Sequence, residues 1–226
     1  MVMLRFTAED HRLVTEAVTR AELSSDAEIV TIVAEKSDSY HDVGLHYAVL
    51  AMLLVPAVLA LLPQSVIDWA TGLTLGWNEA PSRALLMAFL FVKLAAVFLI
   101  VRYALAYMPL RMALTPGSTK SRRVRRRAVE HFRVGAERRT VGRVGILLYL
   151  SLRERRAEIV ADEAIVSKVA PDLWGEAMAD LVEEVKAGRP GAGMAKAVED
   201  MGGVLSEHFP KTATDRNELP DRLIEL

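Results

Sequence analysis

Nineteen residues, 44–62, read GLHYAVLAMLLVPAVLALL and carry no formal charge. They follow directly on EIVTIVAEKSDSYHDV, a strand-like run that passes into a polar loop. The hydrocarbon core of a bilayer takes roughly 20 apolar residues of helix, so this stretch is long enough to cross one. A second stretch, ALLMAFLFVKLAAVFLIVRYAL from Ala84, is interrupted by Lys93 and then Arg102. Neither shows the polar face that an amphipathic core helix turns to water. The pattern predicts a transmembrane hairpin with spans at about 44–62 and 84–105 and an external loop at 63–83.

Composition agrees with such a division. Hydrophobic residues make up 52% of the 226 and charged residues 25%, so the charge is segregated into some segments and absent from others. Cysteine is absent, which excludes disulfides, thiolate chemistry and Cys-based zinc sites. The opening MVMLRFTAEDHRLVTEAV carries charge where a signal peptide needs an apolar core.

The charge also gives a direction. Residues 1–43 hold nine acids against four bases, and residues 140–226 hold sixteen against eleven, a net −5 in each. Residues 111–139 hold ten bases against Glu130 and Glu137, a net +8 just beyond the second span. Basic residues beside a span mark its cytoplasmic end. The connection 63–83 has only Arg83, balanced by Asp68 and Glu79, and its Trp69 and Trp77 suit a headgroup layer. The expectation is a cytoplasmic (inner) membrane protein with both termini cytoplasmic. Arg122, Arg123, Arg125, Arg126 and Arg127 would then meet anionic lipid, at about 1 kcal/mol per basic group near the surface. The run RRVRRRAVEHFRV also invites a nucleic-acid reading. Its place beside a membrane exit, and its lack of aromatics other than Phe132, favour lipid.

The remaining segments read as one split domain. Thr7 and Asp10 open a helix in which Val14, Ala17, Val18 and Ala21 recur at helical spacing. Ile29–Ala34 is β-branched and reads as a buried strand. One helix and one strand cannot build a core, so partners must come from beyond the hairpin. A basic helix over 120–138 presents Val124, Ala128 and Phe132 on one face. Val144–Ser151 and Arg156–Ala161 read as strands joined by a hairpin turn at 152–155. Pro171 suits the first turn of a helix running to about Lys186 and ended by Gly188, and a last helix spans Gly193–His208. The tail, 211–226, ends in LIEL, which is expected to dock back. Residues 1–43 and 111–210 thus build an α/β domain, a small sheet flanked by helices, interrupted by the inserted two-helix hairpin at 44–110. Residues 28–34 should pair with 144–151.

The strand VGILLYLS, the turn LRERR, the strand AEIVA and the helices after them, together with FTAEDHRLVTEAVTRAE and AEIVTIVAEKS, resemble the TPM-domain family. That family is named for a thylakoid acid phosphatase, a photosystem II repair factor and a receptor auxiliary protein. The chain is most similar to its bacterial two-pass membrane branch, which carries a hairpin after the first strand and an ending like HFP…NELPDRLIEL. The resemblance implies an α/β sheet flanked by helices, and acid phosphatase activity in some members. Phosphatase-like members show Asp-Asn-Gly before the second strand, where this chain has Thr140-Val141-Gly142-Arg143. They show Gly-x-Gly after the third strand, where this chain has Ala161-Asp162-Glu163. Asp172 matches an acid that opens the next helix.

Asp162, Glu163 and Asp172 form a candidate oxygen-ligand set for Ca²⁺ or Mg²⁺. The competing reading is that they are helix N-terminal carboxylates satisfying the dipole. His11, His41, His46, His131 and His208 show no metal-ligand spacing. No catalytic residue is specified. Lys93 is the intramembrane polar residue, placed at ~2.5–3.5 kcal/mol of insertion cost. It is expected to point at the Met52 carbonyl, which Pro56 leaves without a helical donor. The functional expectation is a membrane-anchored, non-catalytic interaction or regulatory module at the cytoplasmic face, with a membrane or cytosolic protein as its target. A homo-oligomer is compatible with it. The alternative is a divalent-metal-dependent acid phosphatase.

Overall fold

In a computed structural model the structure describes residues 6–75, 82–135, 144–212 and 221–226. The turn at 140–143, Trp77, and the end of the basic helix at 136–138 lie outside the described residues. The chain forms two compact units, one made of Met1–Asp38 and Gly117–Leu226, the other of Ser39–Pro116.

The first unit is α/β, with a small four-stranded sheet flanked by helices. Helix α1 (Ala8–Ser24) precedes β1 (Glu28–Ala34); α6 (Gly117–Gly135), β2 (Gly145–Ser151) and β3 (Arg156–Ala161) follow the second unit. Then come α7 (Glu163–Val166), a 3₁₀ turn (Pro171–Trp174), α8 (Gly175–Lys186), α9 (Pro190–His208) and β4 (Ile224–Glu225). The strand order is β3-β2-β1-β4. β1 and β2 are parallel in register from Glu28↔Gly145 to Ala34↔Ser151, so a strand before the inserted segment pairs along its full length with one after it. β3 is antiparallel to β2, and the C-terminal LIEL supplies β4, parallel to β1.

Both central strands are buried throughout, as apolar strands covered on two faces must be. Side chains alternate between the faces. Ile29, Val33, Ile146, Leu148 and Leu150 join the core with Val14 and Val18 of α1, Leu181 of α8 and Met194 and Met201 of α9. Val30, Ile32, Leu147 and Tyr149 pack on the other face under Val124, Ala128 and Phe132 of α6. The capping box of α1 is complete: the Asp10 amide donates to Thr7 Oγ1 at 3.1 Å, and the Thr7 amide to Asp10 Oδ2 at 2.8 Å. α8 ends where Gly188 takes a φ of +83°, a conformation that costs glycine no Cβ clash.

Several boundaries differ from expectation. The basic helix starts at Gly117 rather than at Lys120. Pro171 opens a 3₁₀ turn before α8, and the last helix starts at Pro190, whose fixed φ suits a first helical position.

The second unit is helical: α2 (His41–Leu61), α3 (Gln64–Leu75), α4 (Arg83–Ala104) and α5 (Met108–Leu114). α2 and α4 pack on each other, and both are long and apolar enough to cross a membrane. Their apolar side chains are largely exposed, among them Leu50, Leu53 and Val58 of α2 and Phe91, Val92 and Ile100 of α4. The connection expected to be a loop holds α3, with Trp69 exposed. Arg111, counted with the basic block, is instead buried in this unit. Its Nη1 donates to His41 Nδ1 at 2.7 Å and its Nη2 to the Ala106 carbonyl at 3.3 Å.

Candidate functional site

The chain leaves the α/β unit after Asp38 and returns to it at Gly117. Because β1 and β2 are parallel, both end on the same edge of the sheet, and a polar cluster has formed there. Tyr149 and Ser151 are alternate residues of β2, so they share a face; Ser37 follows β1, and Glu154 lies in the turn after β2. Tyr149 Oη is 3.1 Å from Ser37 Oγ, Ser37 Oγ donates to Ser151 Oγ at 2.9 Å, and Ser151 Oγ donates to Glu154 Oε2 at 2.6 Å. The Ser37 amide also donates to Glu154 Oε1 at 2.9 Å. With Tyr149 donating to Ser37, every hydroxyl proton runs toward one carboxylate. Tyr149, Ser151 and Glu154 are buried and Ser37 is half-buried, so the Ser151–Glu154 bond in particular forms in a low-dielectric setting where a satisfied network rigidifies its members.

Next to this chain, Asp38 accepts from Arg123 Nη1 at 2.8 Å, a pair in which both side chains are largely buried. Arg123 belongs to α6, so the residue at which the chain leaves the unit is tied to the helix by which it returns. His131, further along α6, stacks on Tyr149 with ring centroids 5.9 Å apart. Burial first, and the Arg127 charge second, hold its pKa below the ordinary histidine value, while burial pushes the Tyr149 phenol up. The arrangement offers no serine activated by a histidine. Its bonds form a lock that ties the end of β1 to the end of β2, and the Asp38–Arg123 pair ties the same point to α6.

The arginines predicted for a membrane surface divide. Arg123 is drawn inward by Asp38. Arg122, Arg125, Arg126 and Arg127 are exposed. Arg125 lies 3.5 Å from Glu158, Arg126 3.6 Å from Asp38, and Arg127 3.2 Å from Glu130, so the unit's own acids offset part of the positive charge.

The predicted metal ligands are not gathered. Asp162 is buried at the N-cap position of α7, where its side chain makes no capping bond; its Oδ2 accepts instead from the Gly145 amide at 2.9 Å. Glu163 and Asp172 are exposed, each in the first turn of its own helical element. Among the described residues no three of His, Asp and Glu stand close enough to hold an ion. β3 runs antiparallel, so its end lies beside the start of β2, at the edge opposite the one where open α/β sheets place their sites. Lys93 also departs from expectation: its ammonium lies 4.6 Å from the centre of the Phe89 ring, one turn back on its own helix, and makes no hydrogen bond to Met52.

The polar lock has a faint trace in the sequence: Tyr149 and Ser151 break an otherwise apolar strand at a spacing of two, and SDS follows β1. Nothing local pairs Ser37 with Ser151, which are 114 positions apart.

No family model and no curated protein matches the chain. Among solved structures the chain is similar to the BA42 protein of the psychrophilic bacterium Bizionia argentinensis, determined by NMR. The two are 15% identical, the match covers 100% of this chain and 99% of that one, and the TM-score is 0.56. The likeness shows the fold alone. It agrees with the α/β architecture described above.

Proposed function

We propose that this protein is a two-pass membrane protein of the TPM-domain type. Residues 39–116 cross the bilayer as a hairpin and hold the α/β unit at the cytoplasmic face as a non-catalytic interaction or regulatory module. The observation that carries this reading is the parallel ladder between β1 and β2. A segment that leaves and re-enters one small sheet has to begin and end on the same side of any membrane it enters. It therefore crosses an even number of times, and the segment holds two helices of spanning length. The exposed Arg122, Arg125, Arg126 and Arg127 on the returning helix favour the side with anionic lipid. The closed polar lock supports a positioning role over turnover.

Because the chain has no cysteine, single cysteines report topology without background. Cysteines at the exposed positions Ser24 and Ser118 should resist an impermeant thiol reagent added to intact cells, and one at the exposed Ser65 of α3 should react. Labelling of Ser24 and Ser65 from the same side would sink the hairpin. Phosphate-ester turnover that needs Ca²⁺ or Mg²⁺ and is lost in Asp162→Asn would overturn the non-catalytic part.

A further inference from the structure

With residues 39–116 read as a bilayer hairpin, as proposed above, Lys93 is the charge that lies deepest. It is the eleventh residue of the 22 in α4, so at 1.5 Å per residue it stands about 15 Å from either end. That is half of a hydrocarbon core roughly 30 Å thick. The four methylenes of its stem cannot carry the ammonium to a headgroup layer, whereas Arg102, in the last turn of the same helix, can snorkel. Ionisable groups at such depth pair with one another or line a polar cavity.

The hairpin has no acid to offer. Its carboxylates between residues 44 and 110 are Asp68 and Glu79, both in the connection between the spans. Asp42 stands in the first turn of α2, at the far end of that span. Among the described residues Lys93 has no ion pair, and its one contact of note is the Phe89 ring. A second copy of the chain would bring the same acid-free spans, so self-association would leave two ammonium groups unneutralised.

We propose that Lys93 is the docking point for a transmembrane helix of a different protein, one that carries an Asp or Glu at mid-span. The pair would satisfy both charges where neither reaches water. Lys93 is half-buried, so its side chain remains open to an approaching helix. Ala96, exposed on the same face three residues on, leaves room for a second backbone to come close.

The test uses the full chain in phosphatidylcholine vesicles, with a donor fluorophore on a cysteine introduced at Ser65. Host transmembrane peptides of leucine and alanine, labelled with an acceptor, differ only in one central residue. The host with a central Asp should associate about tenfold more tightly than those with Asn or Leu. Lys93→Leu should abolish that preference, and Lys93→Arg should keep it. Equal association of the Asp and Leu hosts, or an undiminished preference in Lys93→Leu, would overturn the docking role. Flotation separates this from failure of the hairpin itself. A chain that does not float with the vesicles refutes the spans and the docking with them, whereas one that floats and shows no preference refutes the docking alone.

Discussion

Gly202 shows how much one missing methyl group can decide. It lies where α9 meets α1, and a Cβ built there would stand 2.7 Å from the Cβ of Ala21. Backbone is also close, with the Ala21 Cα at 3.2 Å, so a larger residue has to part the helices rather than turn a side chain aside. Gly202→Val should destabilise the protein by about 1–3 kcal/mol, the usual cost of overpacking a well-filled core. Denaturant unfolding in detergent would read it, and an unchanged midpoint would show that the α1–α9 seam has slack. Single residues also mark where sequence reading stops. Arg111 counts as a cytoplasmic charge when basic residues are tallied along the chain, yet it is buried against His41, and no tally carries that geometry. Asp162, Glu163 and Asp172 carry the same lesson: nearness in sequence says nothing about whether the first carboxylate is already engaged by the Gly145 amide.

At the scale of elements, a buried carboxyl stands near the segment that leads into the C-terminal strand. The Leu226 amide donates to the Val33 carbonyl at 2.9 Å, and the Glu35 amide donates to the Leu226 carbonyl at 3.2 Å. Leu223 is buried in the core, and Glu225 pairs with His11. Beside this strand, the buried Glu22 carboxyl accepts from the Ile29 amide at 2.9 Å. Burial first, then the nearby Glu28 and Asp221 carboxyls, push its pKa from 4.5 up to about 8. Asp221 belongs to the segment that leads into β4, where Thr19 Oγ1 donates to it at 2.8 Å. A carboxyl whose folded pKa is raised contributes stability that is fully present below about 4.5 and is lost as pH rises through about 8. Protein stability should therefore fall between about pH 4.5 and 8, with faster exchange of the Leu226 and Glu35 amides, and Glu22→Gln should flatten that fall. A profile unchanged in Glu22→Gln would place the pH dependence elsewhere. That LIEL docks back was legible, from an apolar and acidic end after a polar tail. That it does so as a strand beside β1 was not, because the pairing of Ile224 with Ile32 exists only through the fold.

For the molecule as a whole, the sequence revealed the division because the physics of each part is local. Two long apolar stretches, β-branched strands and a capping box each announce themselves within a short window. The lock at Ser37, Tyr149, Ser151 and Glu154 did not, because it joins residues from either side of the inserted segment and exists only once β1 and β2 are in register. The same register makes the central claim testable in one measurement. A protease site placed in the connection between α3 and α4 can be cut in intact cells from outside, and the N-terminal fragment recovered in mild detergent by a tag. The account predicts cleavage by external protease, followed by recovery of both fragments together, held by the seven-residue β1–β2 ladder and the packing of α1 on α9. Protection of the site from external protease, or separation of the fragments once cut, would contradict it.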